Sequence, residues 1–334
     1  MYKPPYTLTT KIIKQVSEIS ELISDVKYID KNYNTINLRK KNRIRSITGT
    51  LQIEGNTFDE AKVTNVINGK TVLGTMREIE EVKGAIEAYD NIENYNYKNE
   101  TDLLKAHNLL MKNLLNNAGS YRNSNVGVGG KDGVTHVAPQ PHIVPKLMED
   151  LFDWLKNTDE HLLIASCIFH YEFEFIHPFS DGNGRVGRLW QSVILKEFKD
   201  FFIYMPIESI VKQNQARYYK ALEDSTHVGE STPFVEFMLE ILEESLRDYL
   251  NQSEKLGEKF GEKFGEVRVK LTKNRKLILE EVSKNNFTTI SELSKIVGIS
   301  TTAIENNIKY LKDNKLLKRV GSDSAGHWEL ILKA

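Results

Sequence analysis

Twelve residues constrain this chain more than any other stretch. They run from His177 to Arg188 and read HPFSDGNGRVGR, which places an imidazole, a carboxylate and two guanidiniums around the two glycines that flank Asn183. The apolar run LLIASCIF at 162–169 precedes them, and LWQSVIL at 189–195 follows. Both runs are typical of buried helices. The pattern therefore predicts a loop, dense in reactive groups, fixed between two helices of the core.

The composition limits the class of protein to which the chain can belong. With 334 residues, the chain is long enough for two or three domains. Its net charge of −1 provides no overall attraction to nucleic acid or membrane, and its one cysteine, Cys167, excludes an internal disulfide. No apolar run approaches the roughly 20 residues of a membrane span, and the start of the chain lacks the apolar segment of a signal peptide. We expect a cytoplasmic protein that does not enter a membrane.

Periodic apolar residues predict a mainly α fold. Helices are expected at about 10–29, 57–69, 76–92, 101–115, 145–157, 160–175, 184–198, 211–224 and 232–250. Thr57–Glu60 has the form of a capping box for the second of these. Another helix, at about 38–55, ends at Gly55, so Glu54 lies in its last turn. A carboxylate is unfavourable at the negative end of a helix dipole, and Glu54 therefore needs a cation from elsewhere.

Residues 121–137 break the helical pattern. Alternation interrupted by glycines predicts two short strands around a Gly-Gly/Asp-Gly turn. Such a hairpin must lie on a helix surface or pair with a peptide, because two strands alone are marginal. It is therefore a candidate acceptor for an added strand.

The C-terminal part is predicted to be a separate module. Residues 251–270 contain a Gly-Glu-Lys-Phe repeat and are predicted to be a linker or a weak helix. Residues 271–334 have the order helix, helix-turn-helix and hairpin, which resembles a winged-helix domain that docks DNA or protein. The proposed division is 1–100 for an N-terminal helical region, 101–250 for a catalytic core, 251–270 for the linker and 271–334 for the winged helix.

The central stretch suits a polyphosphate. Gly182 and Gly184, at the start of a helix, let backbone N–H groups approach an anion without an intervening Cβ. Arg185 and Arg188 share a helix face and can both bind phosphate oxygens. Asp181 is the one carboxylate of the loop, which fits Mg²⁺ bound mainly through phosphates and water. His177 can accept a proton from a hydroxyl that attacks phosphorus. A calcium loop is disfavoured, because Val186, Arg188 and Trp190 occupy the positions of its downstream ligands.

The stretch resembles the signature of the Fic family, His-x-Phe-x-Asp/Glu-Gly-Asn-Gly-Arg-x-x-Arg, at every defined position. Similarity continues at Gly119–Arg122, at Pro145–Met148 with Trp154, and at Arg217–Leu222, and it covers roughly residues 35–245. Fic proteins are mostly helical and transfer AMP from ATP to a protein hydroxyl.

The resemblance implies a role for each residue of the motif. His177 would be the general base, and Asp181 would hold Mg²⁺. Gly182, Asn183 and Gly184 would form an anion hole, with Arg185 and Arg188 on the phosphates. The full set expected to bind ATP is Val126, Gly127, Val128, Gly129, Gly182, Asn183, Gly184, Arg185, Val186, Gly187, Arg188 and Tyr218. Within it, residues 126–129 would belong to a flap that aligns the target, and Tyr218 would line the adenosine pocket.

The family also suggests a partner for Glu54. One class of Fic proteins has Ser/Thr-x-x-x-Glu-Gly/Asn on an N-terminal helix, and Thr50–Gly55 matches it. In that class the glutamate pairs with the second arginine, here Arg188, and blocks the γ-phosphate; in related enzymes it positions a water that removes AMP. The leading hypothesis is thus an auto-inhibited protein adenylyltransferase that modifies a Ser, Thr or Tyr of a target or of itself. A de-AMPylase, and a DNA-binding regulator that senses nucleotide, are the alternatives.

Overall fold

A computed structural model describes residues 2–32, 36–130, 133–263, 273–313, 316–321 and 326–331. It divides into two compact units, Met1–Glu254 and Lys255–Ala334. The helices are α1 Thr10–Asn32, α2 Ile36–Ile53, α3 Glu60–Ile67, α4 Met76–Asp90, α5 Glu100–Met111, α6 Val144–Asn157, α7 Leu162–Ile176, α8 Asn183–Phe198, α9 Ile207–Gln213, α10 Gln215–Val228, α11 Thr232–Lys263, α12 Lys273–Lys284, α13 Ile290–Val297 and α14 Thr301–Asp313. The strands are β1 Gly127–Gly130, β2 Gly133–Val137, β3 Leu317–Val320 and β4 His327–Leu330. The mainly α fold class is confirmed.

Helices α7 and α8 form the centre of the first unit. Almost every residue of α7 between Leu163 and Phe173 is buried, and so is nearly every residue of α8 from Arg185 to Leu195. Helices enclosed on all sides in this way belong to the core. The two helices pack against each other, and residues 177–182 join them. The predicted loop between two core helices is confirmed.

Helix α2 lies directly against α9. Gly49 is the reason, because a Cβ at this position would stand 2.6 Å from the Ser209 nitrogen and 2.8 Å from the Glu208 oxygen. Both are backbone atoms that cannot move aside alone. An isolated glycine within a helix costs about 1 kcal/mol relative to alanine, so its presence needs a packing reason. Here the reason is the close contact that fixes α2, which carries Thr50 and leads to Glu54.

The two strands of the predicted hairpin are present, whereas Lys131 and Asp132 of the predicted turn lie outside the described residues. Strands β1 and β2 pair antiparallel, with Gly127 opposite Val137 and a shift of register after Val128. Strand β2 lies against α10, which supplies the helix surface that an isolated hairpin needs.

The second unit has its own core. Helices α12 to α14 and strands β3 and β4 enclose it, in the order expected of a winged helix. The buried residues are Ile278, Val282, Leu293, Ile304, Ile308, Leu311, Leu317 and Trp328. Thr289 and Glu292 form a capping box that begins α13, and Gly298 ends it in the left-handed region.

Several boundaries differ from the expectations. Thr57 does not cap α3; Asp59 does, because the Thr57 hydroxyl donates instead to Glu78 Oε1 at 2.5 Å. The helix expected at 211–224 is two helices, with Asn214 between them. Helix α5 ends at Met111, and α2 ends at Ile53, one residue before Glu54. Helix α11 extends to Lys263 into the expected linker, whose remaining residues, 264–270, lie outside the described part of the chain. None of the helices described is long and apolar enough to cross a membrane.

Candidate active site

His177 ends α7 in an unusual backbone conformation. Its φ is +50°, and among the described residues it is the one non-glycine with a positive φ. The left-handed region costs an L-residue roughly 1–2 kcal/mol, so the surroundings must hold it there. Its N–H donates to Phe173 O at 2.9 Å, and its carbonyl accepts from Arg122 Nε at 2.8 Å. Strain of this kind concentrates at functional sites.

Arg122 fastens the hairpin to the loop. Arg122 is 2% exposed, and its guanidinium donates to carbonyls on both sides of the hairpin, at Ser124 and Pro139, as well as to His177. Burial lowers the pKa of this arginine. The hairpin and His177 therefore share one anchor, which fixes the distance between them.

The loop 178–182 is braced from inside. The Asn183 side chain accepts from Phe179 N and donates to Phe179 O, both at 2.8 Å. His107 stacks on Phe179 with ring centroids 3.6 Å apart. Gly119 N donates to His107 Nδ1, so Nε2 carries the proton and donates to Asp181 O at 3.1 Å. Burial lowers the pKa of His107 to about 4, which keeps it neutral. The Asn183 amide thus shapes the loop, and only its backbone N–H can face a ligand.

The N-terminus of α8 has the form of an anion site. Gly182 precedes it with φ +88°, and a Cβ there would meet Met111 Sδ at 2.9 Å. No side chain caps this end of the helix. The first N–H groups of a helix have no helical partners and carry the positive end of its dipole. Val186 and Gly187 point elsewhere: Val186 is fully buried, and Gly187 packs against Glu174 and His170 of α7.

A carboxylate lies at this anion site. Glu54 Oε1 accepts from Arg188 Nη2 at 2.7 Å, and it lies 2.3 Å from the point where a Cβ on Gly184 would stand. Thr50 holds the same arginine, with its hydroxyl accepting from Arg188 Nε at 3.0 Å and its carbonyl from Nη2 at 3.2 Å. Arg188 is 3% exposed. The turn after α2 therefore places a negative charge where the helix end and Arg188 would bind a phosphate.

Asp181 and Arg185 form a second charged group beside it. Arg185 Nη2 donates to Asp181 Oδ1 at 2.9 Å, and Arg77 of α4 donates to Oδ2 at 3.0 Å. The Asp181 side chain is 37% exposed. The described residues include no cluster of three or more His, Cys, Asp or Glu able to hold a metal. A single accessible carboxylate fits Mg²⁺ that takes its other ligands from phosphates and water, and does not fit a metal held by protein alone.

The expected adenosine residue, Tyr218, is enclosed. It is 1% exposed, and its hydroxyl donates to His170 Nε2 at 3.1 Å, because His170 Nδ1 donates to Gln191. Its neighbour Tyr219 is 48% exposed and lies edge-to-face with it. Burial and then the charge of Glu54 raise the pKa of Tyr219.

Glu174 is a buried acid that the motif did not indicate. Its Oε1 is buried without a hydrogen-bond partner, 3.8 Å from His170 Nε2. Burial raises its pKa to about 8; Arg188 opposes this rise and Glu54 adds to it. Burial therefore favours the protonated form of Glu174 at pH 7. A closely packed glycine, Gly187, leaves room for it.

Comparison with known proteins agrees with this geometry. The Fic/DOC family model matches residues 97–195, and a winged helix-turn-helix DNA-binding model matches 271–318. A crystal structure of a Fic family protein from Desulfovibrio desulfuricans G20 is 39% identical, with a TM-score of 0.73, over 100% of this chain and 99% of that one.

Named relatives are more distant. The protein adenylyltransferase Fic of Aedes aegypti is 29% identical over 73% of this chain and 48% of its own length. That of Nematostella vectensis is 29% identical over 59% of this chain and 46% of its own length. The chain thus spans about half the length of these relatives. Its match to the bacterial structure is nearly end to end, and the chain therefore belongs to the Fic family.

Proposed function

We propose that this protein is an auto-inhibited protein adenylyltransferase. The observation that carries the proposal is the Glu54 carboxylate at the α8 N-terminus, held by Arg188 beside Gly184. A site in which a buried arginine binds a carboxylate beside a helix N-terminus also suits phosphate. Relatives named protein adenylyltransferase support the reaction.

The proposed reaction needs a base and a stabilised leaving group. A target hydroxyl oxygen bonds to the α-phosphorus of ATP, the bond to the β-phosphate oxygen breaks, and pyrophosphate leaves. His177 accepts the hydroxyl proton. Helix α8 and Arg185 stabilise charge on the phosphates. Asp181 would hold Mg²⁺, which supplies charge neutralisation on the phosphates when bound. The edge of the hairpin would align the target backbone by strand addition.

Labelled ATP tests this proposal directly. The Glu54→Gly chain, from which the inhibitory carboxylate is removed, is incubated with Mg²⁺ and ATP carrying the label at either the α or the γ phosphate. Label from the α position is expected on protein, including the enzyme itself, and none from the γ position. Transfer of the γ label would indicate a kinase and overturn the proposal.

We also propose that the C-terminal unit docks DNA. Helix α14 is the second helix of the helix-turn-helix, the one that faces a DNA groove in such domains, and its residues Thr301, Thr302, Asn306 and Lys309 are all exposed. The matched family model, described as DNA-binding, favours DNA over a protein partner.

The whole chain should shift a DNA duplex in a gel, and Lys309→Glu should weaken that shift. The affinity should fall steeply with salt, as counterion release requires. Retention of the same affinity by Lys309→Glu at low salt would favour protein docking.

Gly49→Ala should loosen the inhibition. The new methyl group meets the α9 backbone, so α2 must shift, at a cost of about 1–3 kcal/mol in the free energy of unfolding. A shift of α2 moves Thr50 and Glu54 relative to Arg188, and AMP transfer should rise. Lys40→Ala, on the exposed side of α2, is the control for both measurements. Lower stability without faster transfer would mean that the inhibition does not depend on this contact.

A further inference from the structure

Two arginines bind the carboxylate of Asp181, and one of them is buried whereas the other is exposed. Arg185, at the start of α8, binds Oδ1, and its side chain is 3% exposed. Arg77 comes from α4, 104 residues before Asp181, binds Oδ2, and has a side chain that is 65% exposed. One partner is fixed within the motif, whereas the other is a surface side chain that can leave.

Arg77 is connected to the segment that carries Glu54. Arg77 Nε donates to Glu81 Oε1 at 3.1 Å, one turn later on α4. Asn56 Nδ2 donates to the other oxygen of Glu81 at 2.9 Å and to Glu78 O at 3.2 Å. Asn56 follows Glu54 by two residues. The end of the inhibitory segment and the start of α4 are thus joined by one buried and one partly buried hydrogen bond, and each contributes one charged group to the site.

A guanidinium bound to Oδ2 competes with a cation. Mg²⁺ would need an oxygen of Asp181, and a positive charge 3.0 Å from that oxygen repels it. An exposed ion pair is weak, because water screens it and the side chain loses freedom by forming it. Arg77 is therefore displaceable when a triphosphate adds negative charge to the site.

We infer that Arg77 is an inhibitory positioning residue that occupies the cation's place at Asp181 until a nucleotide enters. The inference rests on the proposed function. Glu54 then blocks the phosphate position and Arg77 blocks the cation position, from two pieces of chain that Asn56 ties together. The Glu54 motif alone does not include this second block.

Nucleotide binding with and without metal tests the inference. ATP affinity is measured by calorimetry in a Glu54→Gly, His177→Ala background, where the phosphate position is open and turnover is removed. The quantity compared is the ratio of ATP affinity in Mg²⁺ to that in EDTA. Arg77→Ala should raise this ratio two- to fivefold, equivalent to about 0.4–1 kcal/mol. The gain should come from tighter binding in Mg²⁺, whereas the affinity in EDTA should not rise.

Two further variants make the result specific. Arg247→Ala removes another exposed arginine, one that pairs with Glu243 on α11, and should leave the ratio unchanged. Arg77→Lys keeps the charge and should change the ratio less than alanine does. An unchanged affinity ratio in Arg77→Ala overturns the inference. Weaker binding of ATP in Mg²⁺ also overturns it, because that result would mean that Arg77 binds the phosphates. Absence of ATP binding in the background protein, with Arg77 intact, would instead overturn the proposed function.

Discussion

Glu54→Gly should raise the transfer of AMP from ATP by about 10- to 100-fold over the unaltered chain. Glu54 and ATP compete for one site, because the carboxylate lies on Arg188 and against Gly184. A charge-assisted hydrogen bond contributes about 1.5–3 kcal/mol, and each 1.4 kcal/mol is a factor of ten. Removal of the carboxylate leaves Arg188 in place, since Thr50 still holds it with two bonds. The initial rate of α-label incorporation measures the effect.

Two control variants test whether the effect of Glu54→Gly comes from the charge at this position. Glu54→Gln keeps the shape of the side chain but removes its charge, so its rate of AMP transfer should lie between the rates of the unaltered chain and of Glu54→Gly. Glu60→Ala removes an exposed glutamate from the first turn of α3 and should change nothing. An unchanged or slower rate in Glu54→Gly would contradict inhibition.

The same variant separates addition of AMP from its removal. Protein already labelled with AMP is incubated with the unaltered chain or with Glu54→Gly, in the absence of ATP. A de-AMPylase that uses Glu54 releases AMP only with the unaltered chain. The Glu54 side chain is 34% exposed, so water can reach the carboxylate, as the removal of AMP by hydrolysis requires.

The fold followed from periodicity wherever local and tertiary preferences agreed. The run at 162–169 is apolar at nearly every position, and α7 is correspondingly buried from Leu163 to Phe173. Predictions failed where a distant partner decided the outcome. Thr57 has the correct spacing to cap α3, yet it binds Glu78, which lies 21 residues later. The break at Asn214 has no glycine or proline to indicate it.

The site was predictable only where its chemistry is local in sequence. The loop from His177 to Arg188 contains its own anion-binding geometry, so the residues themselves indicate it. The partnership of Glu54 with Arg188 spans 134 residues, and only the family resemblance suggested it. Arg77 and Glu174 lie in no motif and were missed. Gly49 carried a signal, since an isolated glycine in a helix requires a packing reason.

His177→Ala should reduce AMP transfer by about 10²- to 10⁴-fold, the contribution of a positioned general base. The binding of ATP should persist, because the α8 N-terminus, Arg185 and Arg188 are unchanged. The strained φ of +50° is held by hydrogen bonds of the His177 backbone, from its N–H to the Phe173 carbonyl and from Arg122 to its own carbonyl, so alanine should adopt it as well.

His142→Ala removes an exposed histidine from the short helix Pro141–Ile143 after the hairpin, so it is the matched control and should retain full activity. A Glu54→Gly, His177→Ala chain should transfer AMP as slowly as His177→Ala alone, because relief of inhibition cannot replace the general base. Transfer at the Glu54→Gly rate in that double variant would show that another group accepts the proton.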